Sequence, residues 1–230
     1  MLAMYTLLDS NDRLFQMMTD NAANTASTDT QTKILDAAEC LFVEHGYAAT
    51  SLRAIASAAG VNLAATHYYF GSKKGLFASV FHRCVQPINE ERLLLLQQLT
   101  ESERPLTIRS VLESYFAPLV EPVYKNHRVP ALIGRIYAEP ESLTKPILEQ
   151  EFGKIAARYQ LAISEVFPDV PTEELSWRFH FMIGSMIHLL QFNAPLGTES
   201  TYSTFISGID RMLDYAEAGL TQPNERQRHD

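Results

Sequence analysis

This sequence predicts an all-α protein of nine helices, three in a small head and six in a larger body. Three observations carry that expectation. Apolar residues recur at i, i+3, i+4 and i+7 along most of the 230-residue chain. No segment shows the apolar–polar alternation of a half-buried strand. No internal period repeats, which argues against a solenoid. With 46% apolar and 10% aromatic residues the chain has enough material for a core, which excludes wholesale disorder. No apolar run reaches the roughly 18 residues a membrane span needs, and no cleavable leader pattern opens the chain. A cytoplasmic location is the expectation, with Cys40 and Cys84 read as reduced thiols inside helices.

In order along the chain, residues 1–28 read as a flexible arm, because residues 20–30 (DNAANTASTDT) are small and polar. With Arg13 as its only basic residue, the arm is a poor minor-groove reader. Asp29 or Thr30 can cap the first helix, whose stripe is Ile34, Ala38, Leu41 and Phe42 and which Gly46 ends. The organising stretch follows, TSLRAIASAAGVNLAATHYYFGSKK over residues 50–74. Leu52, Ile55 and Ala59 share a face of a short helix that Gly60 stops. Asn62 then caps a second helix of about two turns. Thr66, His67, Tyr68 and Tyr69 load that second helix with polar and aromatic groups, read as outward-facing, an odd burden for a purely structural element. Two short helices at a glycine turn make a helix-turn-helix, whose second helix enters the DNA major groove.

Charge supports that reading. The net charge of −8 is unevenly spread, since residues 31–86 hold five basic against three acidic side chains while both flanks are acidic. The basic face points to DNA phosphate, and the acidic remainder to repulsion from it. Ser72 caps a helix with Lys73 and Lys74 in its first turn, where cations oppose the macrodipole. A phosphate held at that helix end is one reading, and two solvated lysines the other.

The run from Thr32 to about Arg83 resembles the DNA-binding domain of the tetracycline-repressor (TetR) family of transcriptional regulators. ILDAAECLFVEHGYAATSLRAIASAAGV, HYYF and GSKKGLF carry the likeness. It implies a helix-turn-helix over residues 29–74 and a body over 75–220, with a polar tail at 221–230. It also implies that Tyr68 and Lys73 contact phosphates and that Thr50 touches the DNA backbone. Tyr69 stands where the family often carries histidine. Arg53 faces outward toward a phosphate or base. Asn62, Leu63, Ala64, Thr66 and His67 complete the expected DNA-facing set, with Thr66 and His67 the hydrogen-bonders to base edges.

The body reads as helices over residues 72–99 (with a bend at Pro87), 106–124, 130–138, 143–167, 172–193 and 200–220. The segment WRFHFMIGSMIHLLQF is apolar nearly all round and must be covered on all sides. Gly184, Ser185 and His188 there, with Phe205, Ile209 and Met212 on the last helix, are the expected faces of a two-fold homodimer. A wholly intramolecular core is the alternative. Tyr115, Phe116, Leu132, Ile136, Phe152, Tyr159 and Phe179 supply the walls of a small-molecule pocket. Arg135 either anchors an anionic head group in it or pairs with Glu139 on the surface. No phosphate loop, nucleophile elbow or metalloprotease motif occurs, so no enzyme and no cofactor are expected. His180 and His188, eight residues and about 80° apart on one helix, are a poor chelating pair, so no metal is expected.

The segments ELSWRFHFMIG, GVNLAA and FGSKK are also similar to a fatty-acid-responsive branch of the same family. That likeness implies a fatty acid or acyl derivative as effector, while the apolar, aromatic lining also admits hydrophobic drugs, flavonoids or no ligand. The wider TetR likeness implies a dimer on a palindromic operator in double-stranded DNA. The alternative function is a protein-interaction module whose body docks a partner.

Overall fold

The computed structural model describes residues 27–125, 128–192, 195, 197–199 and 201–222. Among the described residues there are nine helices and no strand. They are α1 (residues 27–49), α2 (Leu52–Ala58), α3 (Leu63–Phe70), α4 (Lys73–Thr100), α5 (Ile108–Lys125), α6 (Arg128–Ala138), α7 (Glu141–Val166), α8 (Thr172–Phe192) and α9 (Tyr202–Thr221). Of the expected N-terminal arm, residues 1–26 lie outside the described residues, and 27 and 28 are already helical. Most of the expected tail, residues 223–230, also lies outside them. The chain forms two compact units, the first ending at Ser79 and the second beginning at Val80. The division falls within α4, which runs from Lys73 to Thr100 with Pro87 inside it.

In the first unit Ile34, Ala38 and Phe42 of α1 meet Ile55 of α2 and Leu76 and Phe77 of α4, all buried. The Phe77 ring lies edge-on to Phe42 at 5.0 Å and to Tyr47 at 5.2 Å, geometries that aromatic quadrupoles favour. Gly46 takes φ 78, as a helix-ending glycine would, yet helical bonding resumes through residue 49. Thr50 closes that end, its hydroxyl shared between the carbonyls of Gly46 (2.8 Å) and Leu41 (3.1 Å).

In the second unit α9 packs on α5 and α8, and α6 packs on α8. Val111, Leu112 and Phe116 of α5 and Met212, Leu213 and Ala216 of α9 are buried. Arg109 of α5 pairs with Asp214 (2.6 Å) and Glu217 (3.4 Å) across that contact. Thr201 and Thr204 form a reciprocal capping box at the start of α9, which satisfies two orphan donors. At the far end of α9, Arg178 of α8 donates to the carbonyls of Leu220 (2.9 Å) and Gln222 (2.8 Å).

One expectation needs correction here. Phe205, Ile209 and Met212 are only 4%, 7% and 7% exposed in the single chain, so they fill its own core and offer no surface to a second copy. Among the large apolar side chains that stay exposed, Trp177, Phe181 and Phe192 lie on α8.

Candidate nucleic-acid interface and internal cavity

The turn between α2 and α3 is built from backbone bonds that the sequence specifies. Ser51 caps α2, its side chain accepting from the Ala54 N–H. At the other end Gly60 takes φ 65, and the N–H groups of Gly60 and Val61 donate to the carbonyls of Ser57 (3.2 Å) and Ala56 (3.0 Å). This is a Schellman closure, in which the left-handed position accepts glycine without steric cost. Asn62 then accepts from the Ala65 N–H at 2.7 Å and starts α3. Each cap contributes about 1 kcal/mol, which matters for helices of two turns.

Past α3, Gly75 lies against the preceding turn. A Cβ there would sit 2.4 Å from the Phe70 carbonyl oxygen, so the segment GSKKG tolerates no side chain at its last position. Ser72 caps α4 by accepting from the Gly75 N–H at 3.0 Å.

The structure sorts the expected DNA-facing residues into two groups. Ala64, His67 and Tyr68 of α3 are exposed, as are its cap Asn62 and Arg53 of α2. Tyr68 is 83% exposed, an unusual position for a large aromatic side chain with nothing to cover it. Leu63 and Tyr69 are half-buried, the Tyr69 ring lying between Tyr68 (5.0 Å) and Phe70 (6.4 Å). The His67 Nδ1 stands 3.1 Å from the Gly71 carbonyl. Since a carbonyl only accepts, Nδ1 is the donor in that contact, and Nε2 is the ring nitrogen left over from it.

Thr66, Thr50 and Lys73 are not free for DNA. Thr66 is 0% exposed, its hydroxyl donating to the Leu63 carbonyl at 2.7 Å, so it belongs to the core side of α3. Thr50 is buried and spent on closing α1. The Lys73 ammonium donates to the carbonyls of Tyr47 (2.9 Å), Thr50 (2.9 Å) and Ala48 (3.4 Å) and lies 4.3 Å from the centre of the Tyr47 ring. The cation sits on the C-terminal carbonyls of α1, where the helix dipole favours it. That location explains a lysine at the start of α4 without invoking a phosphate. Phe70 is half-buried.

The second unit holds a partly open cavity of about 290 Å³ between α4, α5, α6, α7 and α8. Tyr115, Phe152 and Phe179, expected in a pocket, line it. Phe116, Leu132, Ile136 and Tyr159 are buried elsewhere in the core. On α6 it is Ile133 and Tyr137 that face the cavity, one position on from the residues expected. Arg135 is exposed and does not reach it.

The cation on the wall is instead Arg92 of α4, which is 1% exposed. Its Nε donates to the Tyr115 carbonyl at 2.8 Å, and its Nη1 to the Asn89 side-chain oxygen at 3.2 Å. Burial pushes the Tyr115 phenol up, against the pull of Arg92, and pushes Tyr159 up to about 12, so both keep their protons at neutral pH. Tyr159 hydrogen-bonds the Arg92 carbonyl and Ser114, both at 3.1 Å.

Among the described residues no group of three metal-ligating side chains converges, and no helix is long and apolar enough to cross a membrane.

Comparison with known proteins adds the family. Residues 34–80 match the family described as bacterial regulatory proteins, tetR family, and residues 113–219 match the tetracyclin repressor-like C-terminal domain. The HTH-type transcriptional repressor KstR of Rhodococcus jostii (strain RHA1) is 26% identical over 165 residues, spanning 66% of this chain and 73% of that protein. Among solved structures, the fatty acid degradation regulator FadR of Bacillus halodurans superposes with a TM-score of 0.62 at 14% identity, over 84% of this chain and 97% of that one. The TetR-family regulator PfmR of Thermus thermophilus gives 0.54 at 18% identity, over 81% and 96%. At such identities these likenesses speak for the fold. With a family domain matched in each of its two units, the chain belongs to the TetR family of DNA-binding transcriptional regulators.

Proposed function

We propose that the chain is a repressor that holds a palindromic operator as a cytoplasmic homodimer and releases it when a small apolar or amphipathic ligand fills the cavity of the body. The outward face of α3 carries the proposal. Asn62, Ala64, His67 and Tyr68 are exposed there, while the Thr66 hydroxyl on its inner side is already bonded within the protein. The Tyr68 hydroxyl is suited to a phosphate, and Arg53 to a phosphate or a base. The exposed His67 ring, its Nδ1 engaged with the Gly71 carbonyl, keeps Nε2 for a base edge in the major groove.

The exposed stripe Trp177, Phe181 and Phe192 on α8 supports a second copy as its cover. Gly184 and His188 lie exposed on the same face and Ser185 half-buried beside them, and open space surrounds Gly184. Two copies joined there would carry two recognition helices, as half-sites about 34–36 Å apart require. Phe181→Glu should then give monomers by light scattering. A dimer that survives this change places the contact elsewhere, and a wild-type monomer returns the stripe to docking a different protein.

For the effector, the similarity to a regulator of fatty acid degradation supports an acyl ligand, and the apolar cavity wall agrees with it. Release works only if the ligand prefers one conformation of the protein, and α4, which carries both Lys73 and Arg92, is the element that would transmit the preference.

Selection of bound sequences from a random DNA library tests the reading. A palindromic motif should emerge, weakened uniformly by Tyr68→Phe and relaxed at one position of each half-site by His67→Ala. No enrichment at low salt would remove sequence-specific DNA binding from the account.

A further inference from the structure

We infer that the cavity is built for a carboxylate-bearing amphiphile, its anionic head on Arg92 and its tail along the apolar part of the lining. This rests on reading the body as a ligand sensor and specifies the chemistry that it senses. A guanidinium has five N–H donors and keeps its charge in proteins. For Arg92 only Nε and Nη1 meet oxygen acceptors, the Tyr115 carbonyl and the Asn89 amide. Its Nη2 meets the Met186 thioether, a weak acceptor, at 3.9 Å. The Tyr115 ring lies 3.9 Å from Cζ and supports the charge without neutralising it. Among the described residues no carboxylate pairs with Arg92, although it is 1% exposed. A buried cation is ordinarily matched by an anion, because desolvation is costly without one.

Part of Arg92 has a structural duty. Its Nε holds the Tyr115 carbonyl in α5, a helix that Pro118 and Pro122 each leave one donor short. That accounts for Nε and leaves the Nη groups, on a residue that lines the cavity, without an oxygen partner beyond Asn89. A carboxylate accepts two parallel bonds from one guanidinium and supplies the missing charge. The rest of the wall is chiefly apolar, with Ile88, Leu119, Ile155, Phe179 and Ile183 placed for a tail. An aliphatic and an aromatic tail both satisfy this chemistry.

Calorimetric titration of the full chain with octanoate, 4-phenylbutyrate and octan-1-ol tests the inference, the two acids separating the tail types. At least one acid should bind tenfold or more tighter than the alcohol. Arg92→Met should cost that acid at least tenfold and leave the alcohol unchanged, which a merely structural arginine would not do. Arg92→Lys should fall between them, and it stands in if the methionine variant does not fold. Equal affinity for acid and alcohol, loss of both together in a folded variant, or no binding of either acid overturns the inference. Operator binding measured alongside keeps the two readings apart. An acid that binds at Arg92 without changing operator affinity defeats the sensor and leaves the carboxylate site standing. Release by octan-1-ol alone does the reverse.

Discussion

Two cations on α4 face inward, Lys73 at its first residue and Arg92 about five turns further on. In the first unit Lys73 spends its ammonium on three carbonyls and a tyrosine ring, and nothing is left to offer a ligand. In the second unit Arg92 gives two of its five donors to oxygen and turns toward a cavity. The difference teaches how to divide the molecule. Inside the first unit polar groups complete one another, which holds the outer face of α3 rigid for an external partner. Inside the second unit one charge is incompletely matched, which gives an internal partner something to complete.

Three substitutions sharpen or break that contrast. Lys73→Met removes charge-assisted bonds worth about 1.5–3 kcal/mol each on such scales, so the first unit should lose about 3 kcal/mol by chemical denaturation. It should leave the slope of DNA affinity against salt unchanged at a temperature where the variant is folded. A slope reduced by about 0.9 would instead make Lys73 a phosphate contact. Gly75→Ala drives a methyl against the Phe70 carbonyl and should cost about 1–3 kcal/mol. Hydrogen exchange should show the loss in residues 34–79 and spare α8 and α9. Thr66→Ala is the smallest change, about 1 kcal/mol of stability for a lost buried methyl and hydroxyl. The selected DNA motif should stay the same, whereas relaxation at one base would restore Thr66 as a reader.

The helix-turn-helix was legible because its signals are local. Gly60 and Asn62 each act on backbone groups within five residues, and the structure uses both, as turn and cap. Which side of α3 faces inward was not legible from polarity, because Thr66 satisfies its own hydroxyl one turn back and can be buried. The spacing of Leu63, Thr66 and Phe70 at i, i+3 and i+7 held the missing signal. Lys73 misled for a related reason: its partners lie more than twenty residues away, at the end of α1.

In the body, periodicity showed that Phe205, Ile209 and Met212 are buried but not against which chain. Arg92 was hidden among Glu90, Glu91 and Leu93 as one more charge on a helix. Val85, Ile88, Arg92 and Leu96 nevertheless mark one buried stripe, and an arginine inside such a stripe is the pattern that points to a matched charge.

A ligand sensor requires a link between the cavity and the DNA-reading face, and one titration tests it. The wild-type chain is titrated onto the selected operator duplex at fixed salt, with and without saturating octanoate, and octanoate onto the chain with and without duplex. The prediction is that octanoate weakens operator binding at least about fivefold, and that the duplex weakens octanoate binding by the same factor, as linkage demands. Octanoate that binds while both affinities stay unchanged would contradict it.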